Sequence, residues 1–386
     1  MPSSSRILLL ITQGKVGGAQ MSVMSLARSL AEVGQNVSVA YGEGDFLAEV
    51  CTENRIENFR LPHLKRTVNP VTNLRFLFSF RRLIDRRRYS VIHINSSNAL
   101  LGAIAARFSR TRPRVVFTFR GLSFLDPAAP ISKPARVFYD LLFWFLVKFV
   151  DEPVFVSQAN FEEAKRRRIV SSGRVVYNGL DGRKLEFLSP LGARACLAEA
   201  TGKDLSSALL LGSIGRLAPQ KNYFFLIRQM TELTAKFPDL KLVIIGGGPE
   251  EEKLRRLILE EGLTDKVFLV GEMSFAYRCL LAFDVFVLTS CYEGMSITLI
   301  ETLFAGVPVL ASDVGGAKEQ LKDEAQLFKL GDRLDFQTKL EYLLSDPGRR
   351  QELARFNKDR SGVFGISVTA RGYQKIYRDL ESGKFT

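Results

Sequence analysis

Cysteine and histidine are scarce in this chain, and their scarcity removes several chemistries at once. Its 386 residues carry four cysteines (Cys51, Cys196, Cys279 and Cys291), none spaced as C-x-x-C, and two histidines, His63 and His93. That leaves too few ligands for a structural zinc site and too few cysteines for a disulfide framework in a chain of this length. No D-x-D occurs, so a common signature for holding a divalent metal is missing. Gly14, Gly17 and Gly18 do not have the G-x-G-x-x-G spacing that would mark a dinucleotide-binding turn. Long apolar runs are missing as well. Residues 7–11 are too short a run for a signal-peptide core. Residues 137–150, the longest apolar stretch, hold Asp140 and Lys148 and fall short of the roughly 18 residues that a membrane span needs. No transmembrane segment is expected, and a reducing cytoplasm suits the cysteine content.

Acidic residues are scarce in one place only. Residues 61–150 hold 16 Lys and Arg against 3 acidic residues (Asp85, Asp126 and Asp140), a surplus equal to the +13 formal charge of the whole chain. So localised a field points to an anionic surface or ligand. The rest of the composition, 46% hydrophobic and 25% charged, is that of a globular protein with a sizeable core. The length exceeds what one core usually organises, so two domains are expected.

Short apolar runs alternate with helical patterns along the chain. Residues 7–11, 37–41, 91–94, 115–119, 153–156 and 175–177 read as strands, with helices over 19–33, 74–87, 99–108 and 136–149. The pattern restarts with strands at 209–214, 241–245, 267–270, 285–288 and 308–311 and helices over 223–237, 250–261, 277–282 and 297–304. Residues 178–207, rich in Gly, Ser and charge, read as the linker, and 368–380 as a last helix. Such alternation implies βαβ units, hence an α/β protein of two doubly wound Rossmann-like domains. In these sheets ligands bind beyond the carboxyl ends of the strands, which gives each domain one wall of a cleft.

Two segments of the second half carry the chemistry. Glu293-Gly294-Met295-Ser296-Ile297 follows a strand and opens a helix, whose free amides and positive dipole end favour a phosphate. Glu301 lies eight residues beyond Glu293, so two carboxylates could hydrogen-bond hydroxyls at opposite ends of a nucleotide sugar. Gly215-Arg216-Leu217-Ala218-Pro219-Gln220-Lys221-Asn222 follows another strand. There Arg216 can fork across two oxygens of a diphosphate while Lys221 acts as a point charge, each charge-assisted bond contributing about 1.5–3 kcal/mol. Solvated surface carboxylates and cations are the plainer reading of either segment alone.

Three motifs stand in order: G-R-L-x-x-Q-K-N, E-G-x-x-x-T-x-x-E (293–301) and S-D-V-G-G-x-x-E (312–319). With Gly17-Gly18-Ala19-Gln20 and Val176-Tyr177-Asn178-Gly179 they span nearly the whole chain, which resembles the retaining family-four glycosyltransferases of the GT-B fold. The resemblance implies an acceptor-binding domain over 1–180, a nucleotide-sugar domain over 181–365 and a final helix, 366–386, crossing back to the first, with Tyr373, Ile376 and Tyr377 as its apolar stripe. It implies that Arg216 and Lys221 bind the donor diphosphate, Glu301 the ribose, and Glu293 with residues 294–297 the transferred sugar. Gly17, Gly18 and Gly247 complete the donor set, and Glu293, Arg216 and Lys221 are the catalytic residues. Two positions depart from the family pattern. Ser296 stands where many members have a second glycine able to adopt positive φ, and Arg120 stands before Gly121 where many have a histidine. Arginine cannot act as a neutral base there and would hold an anion.

The implied reaction moves a hexosyl or N-acetylhexosaminyl group from a nucleotide diphosphate sugar, UDP foremost, with retention and with no metal or other cofactor, by front-face substitution in preference to double displacement through Glu293. The segment His93-Ile94-Asn95-Ser96-Ser97 resembles one found in members that extend undecaprenyl-diphosphate-linked sugars, so His93, Asn95, Ser96, Ser97 and Arg120 are expected at a lipid-linked or glycan acceptor. His93 reads equally as a satisfied core histidine. Residues 74–88 place Arg75, Arg82 and Arg86 opposite Phe76, Leu77, Phe80, Leu83 and Ile84, which suits a helix on an anionic bilayer or one packed on the sheet with its arginines in water. Residues 137–150 read as a buried helix sooner than a membrane-dipping one. Together these features suggest a cytoplasmic enzyme, peripheral on the inner face of the membrane through residues 61–150, in polysaccharide or O-antigen assembly. A GT-B epimerase or sugar phosphorylase would share the fold. A non-enzymatic binder of anionic surfaces would share the charge, but no nucleic-acid module is present.

Overall fold

The computed structural model describes residues 5–15, 17–67, 69–120, 124 and 131–383; Val16 of the first glycine turn and Gly121 lie outside the described residues. The chain forms two compact units, Met1–Asp181 with Phe364–Thr386, and Gly182–Val363.

The first unit alternates β1 (Arg6–Gln13), α1 (Gly18–Glu32), β2 (Asn36–Glu43), α2 (Phe46–Glu53), β3 (Glu57–Arg60), α3 (Pro70–Arg87) and β4 (Val91–Ile94). It continues with α4 (Gly102–Arg107), β5 (Arg114–Phe119), α5 (Lys133–Val147), β6 (Glu152–Phe155), α6 (Gln158–Arg166) and β7 (Arg174–Val175). These strands make one parallel sheet in the order β3-β2-β1-β4-β5-β6-β7. Central strands of such a sheet are covered on both faces, which is why β1 reads as an unbroken apolar run. Leu8 and Leu10 enter one core, with Phe76 and Phe80 of α3; Ile7 and Leu9 enter the other, with Val23 and Leu26 of α1.

The second unit holds α7 (Pro190–Thr201), β8 (Leu209–Ile214), α8 (Tyr223–Lys236), β9 (Leu240–Ile245), α9 (Glu251–Glu260), β10 (Val267–Leu269) and β11 (Val285–Leu288). It continues through α10 (Ile297–Ala305), β12 (Val309–Ser312), α11 (Gly316–Leu321), β13 (Leu327–Phe328), α12 (Arg333–Ser345) and α13 (Pro347–Arg360). Its sheet is also parallel, in the order β10-β9-β8-β11-β12-β13. The stretch 178–207 is therefore no plain linker. Ser189 caps α7 by accepting from Gly192 N at 3.2 Å, and Ala193 and Leu197 are buried. Residues 276–282 form a 3₁₀ turn where an α-helix was expected.

The last helix, α14 (Ile366–Glu381), returns to the first unit and packs on α1, burying Tyr373, Ile376 and Tyr377. Its tyrosines carry polar tips into the core. His93 Nδ1 lies 2.7 Å from the Tyr377 hydroxyl and Nε2 2.7 Å from Thr118 Oγ1, which lies 2.9 Å from the Tyr373 hydroxyl. His93 points into the core from the middle of the sheet and is fully buried. With both ring nitrogens engaged it cannot meet an acceptor, which corrects its expected place among the acceptor-binding residues.

The helices of the basic stretch also sort themselves. On α3, Phe76, Phe80 and Ile84 are buried while Arg75, Arg82 and Arg86 face water, as for a helix packed on its sheet. On α5, Phe143 and Leu146 are buried, but most of its aromatic and aliphatic side chains are not, against the expectation of a buried helix. Among the described residues no helix is long and apolar enough to cross a membrane.

Burial, and secondarily Arg120, holds the His93 pKa well below its usual value, so the folded protein keeps the ring neutral. The unfolded chain gains a proton near pH 6.5 that the folded one refuses, so this group removes stability as pH falls below about 6.5. His93→Ala, which strands two buried hydroxyls and opens a cavity, is expected to cost about 2–5 kcal/mol in denaturant unfolding and to reduce the loss of stability between pH 7 and 5. An unchanged midpoint would show that these contacts do not hold α14 in place.

Candidate functional site

Each sheet reverses its strand order once, between β1 and β4 and between β8 and β11. In open parallel sheets a binding crevice forms at such a reversal, outside the carboxyl ends of the strands. The chemistry-bearing segments all lie at those ends: 14–18 after β1, 95–97 after β4 and Arg120 after β5 in the first unit, and 215–221 after β8 and 293–297 after β11 in the second.

In the second unit, the loop after β8 closes in a 3₁₀ turn, Pro219–Lys221, with Asn222 left-handed at φ 54° before α8. It is wedged against the glycines after β9. Leu217 N donates to Gly247 O at 2.9 Å, and a Cβ on Gly246 or Gly248 would come within 2.4 Å of the backbone of Gly215 or Leu217. On its other side the loop is fastened to the segment after β11. Cys291 N donates to Gln220 O at 2.7 Å, Gln220 Nε2 to Tyr292 O at 2.9 Å, and Thr289 Oγ1 to Lys221 O at 2.9 Å.

These ties bring Lys221 Nζ to 2.7 Å from Glu293 Oε1, which also accepts from Ser290 Oγ at 2.7 Å. Burial by itself would lower the Lys221 pKa, but the Glu293 carboxylate more than reverses this, and the pKa is raised. The backbone that carries Glu293 is clamped in turn by the S-D-V-G-G motif. Gly315 is left-handed at φ 44°, and a Cβ there or on Gly316 would come within 2.2 Å of the carbonyl oxygen of Glu293 or Gly294. Ser296, at φ −72°, needs no positive φ. It serves as the N-cap of α10, its Oγ accepting from Leu299 N at 3.3 Å, while Gln320 holds its amide at 3.1 Å and its carbonyl at 2.8 Å. Gly294 and Met295 are buried, and Ile297 begins the helix.

Glu301 sits on the second turn of α10, where burial, with no ion pair among the described residues, pushes its pKa up to about 8. Arg216 is exposed, and its side chain makes no hydrogen bond or ion pair among the described residues. The second unit thus offers a cation already matched with a carboxylate (Lys221 with Glu293), a cation in solvent, a helix N-terminus and a carboxyl group whose pKa burial raises. Among the described residues no three His, Cys, Asp or Glu side chains come together as a metal would require.

In the first unit, Gly17 caps α1 and Gly18 is its first residue. A Cβ on Gly17 would stand 2.7 Å from Gln20 Oε1, while Gln20 Nε2 ties back to Gln13 O at 3.0 Å. Arg120 lies among neutral acceptors. Its Nε donates to Asn95 Oδ1 at 3.0 Å, and one terminal nitrogen reaches Ser22 Oγ and Asn178 Oδ1, each at 2.6 Å. No carboxylate pairs with it among the described residues, so its charge stays available to an anion. Asn95 is buried by its bonds to His93 O and Arg120, and Ser96 is turned back onto Thr12, its Oγ 2.6 Å from Thr12 Oγ1. Ser97 remains partly exposed. Ser22, Ser290 and Gln320 had no motif of their own to announce them. Asn178 stood in plain view inside V-Y-N-G, where its amide gave no hint of Arg120.

Residues 16–183 match the model of Glycosyltransferase Family 4, and 202–360 that of Glycosyl transferases group 1. A UDP-Gal:alpha-D-GlcNAc-diphosphoundecaprenol alpha-1,3-galactosyltransferase of Escherichia coli is 27% identical over 278 residues, 70% of each chain. An N-acetylgalactosamine-N,N'-diacetylbacillosaminyl-diphospho-undecaprenol 4-alpha-N-acetylgalactosaminyltransferase of Campylobacter jejuni is 30% identical over 56% of each. In fold, HepE of Anabaena, solved in complex with UDP and glucose, superposes with a TM-score of 0.81 over 98% of this chain and all of its own, at 21% identity. The two family matches fall one on each unit, and between them they cover the strand-end segments from residue 16 onward. The chain belongs to the family-four glycosyltransferases of the GT-B fold and transfers a sugar from a nucleotide-sugar donor.

Proposed function

We propose that the enzyme transfers a hexosyl or N-acetylhexosaminyl group from a UDP-sugar, with retention and without a metal, to a polyprenyl-diphosphate-linked sugar at an anionic membrane surface. The observation that carries this reading is the Lys221–Glu293 pair, held 2.7 Å apart beside the N-terminus of α10. A donor diphosphate arriving at Lys221 and Arg216 competes for the lysine and frees Glu293 for the hydroxyls of the transferred sugar. As the bond to the sugar breaks, charge grows on the leaving diphosphate, and both cations with the α10 dipole stabilise it more than they stabilise the ground state. On the front face, the same diphosphate takes the acceptor's proton. Glu301 is proposed to bind the ribose, and Gly17, Gly18 and Gly247 to line the donor. Support for UDP and for a lipid-linked acceptor comes from the names of the Escherichia coli and Campylobacter jejuni relatives and from the UDP complex of HepE.

Arg120 with Ser97 is proposed at the acceptor's phosphate, on the footing that Asn95 and Ser96 build. His93 acts only from behind, through its carbonyl, which accepts from Asn95. The membrane role of residues 61–150 rests on their charge.

Nucleotide release from UDP-, GDP- and ADP-sugars in EDTA, with and without a polyprenyl-diphosphate-linked sugar, tests the reading. Acceptor-dependent release from a UDP-sugar is expected, reduced about 10²- to 10³-fold in kcat/KM by Glu293→Gln or Lys221→Ala. Release that needs no acceptor would point to a hydrolysing epimerase and end the transferase assignment, while acceptor-dependent release that neither substitution affects would end the roles given to Glu293 and Lys221.

Glu301 adds a pH dependence. A ribose hydroxyl donates to an ionised carboxylate, and with a pKa of about 8 the group is mostly protonated at pH 7. UDP affinity by calorimetry should therefore rise about tenfold from pH 7 to pH 9. Glu301→Gln should flatten the profile, and a profile already flat in the wild type would remove Glu301 from the ribose.

A further inference from the structure

The face of α5 turned away from the sheet is apolar and uncovered. Val137, Phe138, Leu141, Trp144 and Phe145 are between 46% and 62% exposed, and they follow one another at helical spacing as a single stripe. The opposite face is anchored. Phe143 packs on Phe117, Phe119 and Phe124, and Asp140 pairs with Arg167 at 3.1 Å, so α5 cannot roll its aromatics inward. At the C-terminal end of the stripe Lys148 Nζ stands 3.3 Å from the centre of the Trp144 ring, and Phe149 bridges Phe145 to the exposed Phe108.

Beside that end lies a pocket of about 260 Å³ lined by four cations, Arg107, Arg112, Arg114 and Lys148. Arg114 has a carboxylate partner, Asp151 at 3.0 Å; the other three have none among the described residues. The pocket is separate from the candidate active site, since Arg114 begins β5 and Arg120 follows its end.

We infer that this stripe and pocket together seat the protein on an anionic bilayer: the α5 side chains enter the headgroup–acyl boundary while the pocket takes the phosphate of an anionic phospholipid. The occupant follows from the pairing of the two features. A protein partner could cover the stripe, but a wide apolar band rimmed by unpaired cations matches an interface that is apolar inside and negatively charged at its surface. Aromatic residues and a lysine lying along one helix face suit the same depth. The inference deepens the membrane-associated acceptor proposed above and rests on it for its purpose, though not for its test.

Trp144 is the only tryptophan in the chain, so intrinsic fluorescence reports on the stripe alone. With vesicles of phosphatidylglycerol and phosphatidylcholine the full-length protein should show a blue-shifted Trp144 emission, quenched by bromine-labelled acyl chains, and should float with the vesicles. Phe138→Ser/Leu141→Ser should weaken partitioning at least about tenfold. Arg107→Glu/Arg112→Glu should remove the preference for phosphatidylglycerol over phosphatidylcholine alone. Flotation with no change in Trp144 emission would place the membrane contact elsewhere, and absence of flotation would end the proposal. A blue shift that grows with protein concentration without vesicles would identify a second copy of the chain as the occupant and overturn it as well. Acceptor-dependent nucleotide release in detergent, measured on the same variants, should be unchanged, which separates failure of the seat from failure of the transferase reading.

Discussion

Two opposite charges set 2.7 Å apart at the end of a parallel sheet are the feature that the second unit is arranged to keep. A mostly buried lysine and glutamate are tolerated because each answers the other, and removing either partner from such a pair typically costs about 3–5 kcal/mol. Holding them in register demands close backbone contact on both sides. The glycines at 246 and 248 let the loop after β9 approach the lysine's loop, and those at 315 and 316 let α11 approach the glutamate's. Thr289 and Gln220 then fix the two loops to each other, and Ser290 holds the glutamate's carboxylate from within its own loop. The long family motifs are, in this sense, the means of bringing one ammonium to one carboxylate.

Much of this was legible in the sequence, for a physical reason. Strands buried on both faces leave largely apolar runs, so β1, β4, β8 and β11 could be read directly, and with them the strand ends where a ligand can bind. Less was legible where sequence statistics and packing diverge. Ser189 and Gly192, which made 178–207 look like a linker, are the cap and first turn of α7. In α12 the exposed Leu334 and Tyr342 blur the buried stripe, α13 carries charge on nearly every side and β13 has two residues, so none of the three stood out. The aromatics of α5 suggested burial because composition cannot say what, if anything, covers a face. His93 looked available because it precedes a polar cluster. Only the return of α14 shows that its nitrogens already face Tyr377 and Thr118.

The two departures from the family pattern have different weights. Ser296 turns out to be conservative in effect, since its backbone is extended and its hydroxyl caps α10. Arg120 is a change of chemistry. Where a histidine could hand over a proton, this chain fixes a permanent cation among three neutral oxygens, which makes the end of β5 a place to hold an anion and not a place to titrate.

The bonds of His93 to Tyr377, 284 residues away, and of Thr118 to Tyr373 span the entire second unit. On the ribosome the first unit's strands emerge early, yet their central histidine and threonine wait for partners that are made only after the second unit has been synthesised. Until then a buried face of that sheet is open and its polar groups are unanswered. The nascent first unit is therefore the stage of biosynthesis most exposed to chaperones and to misassociation, and a truncation that removes α14 would leave it there permanently.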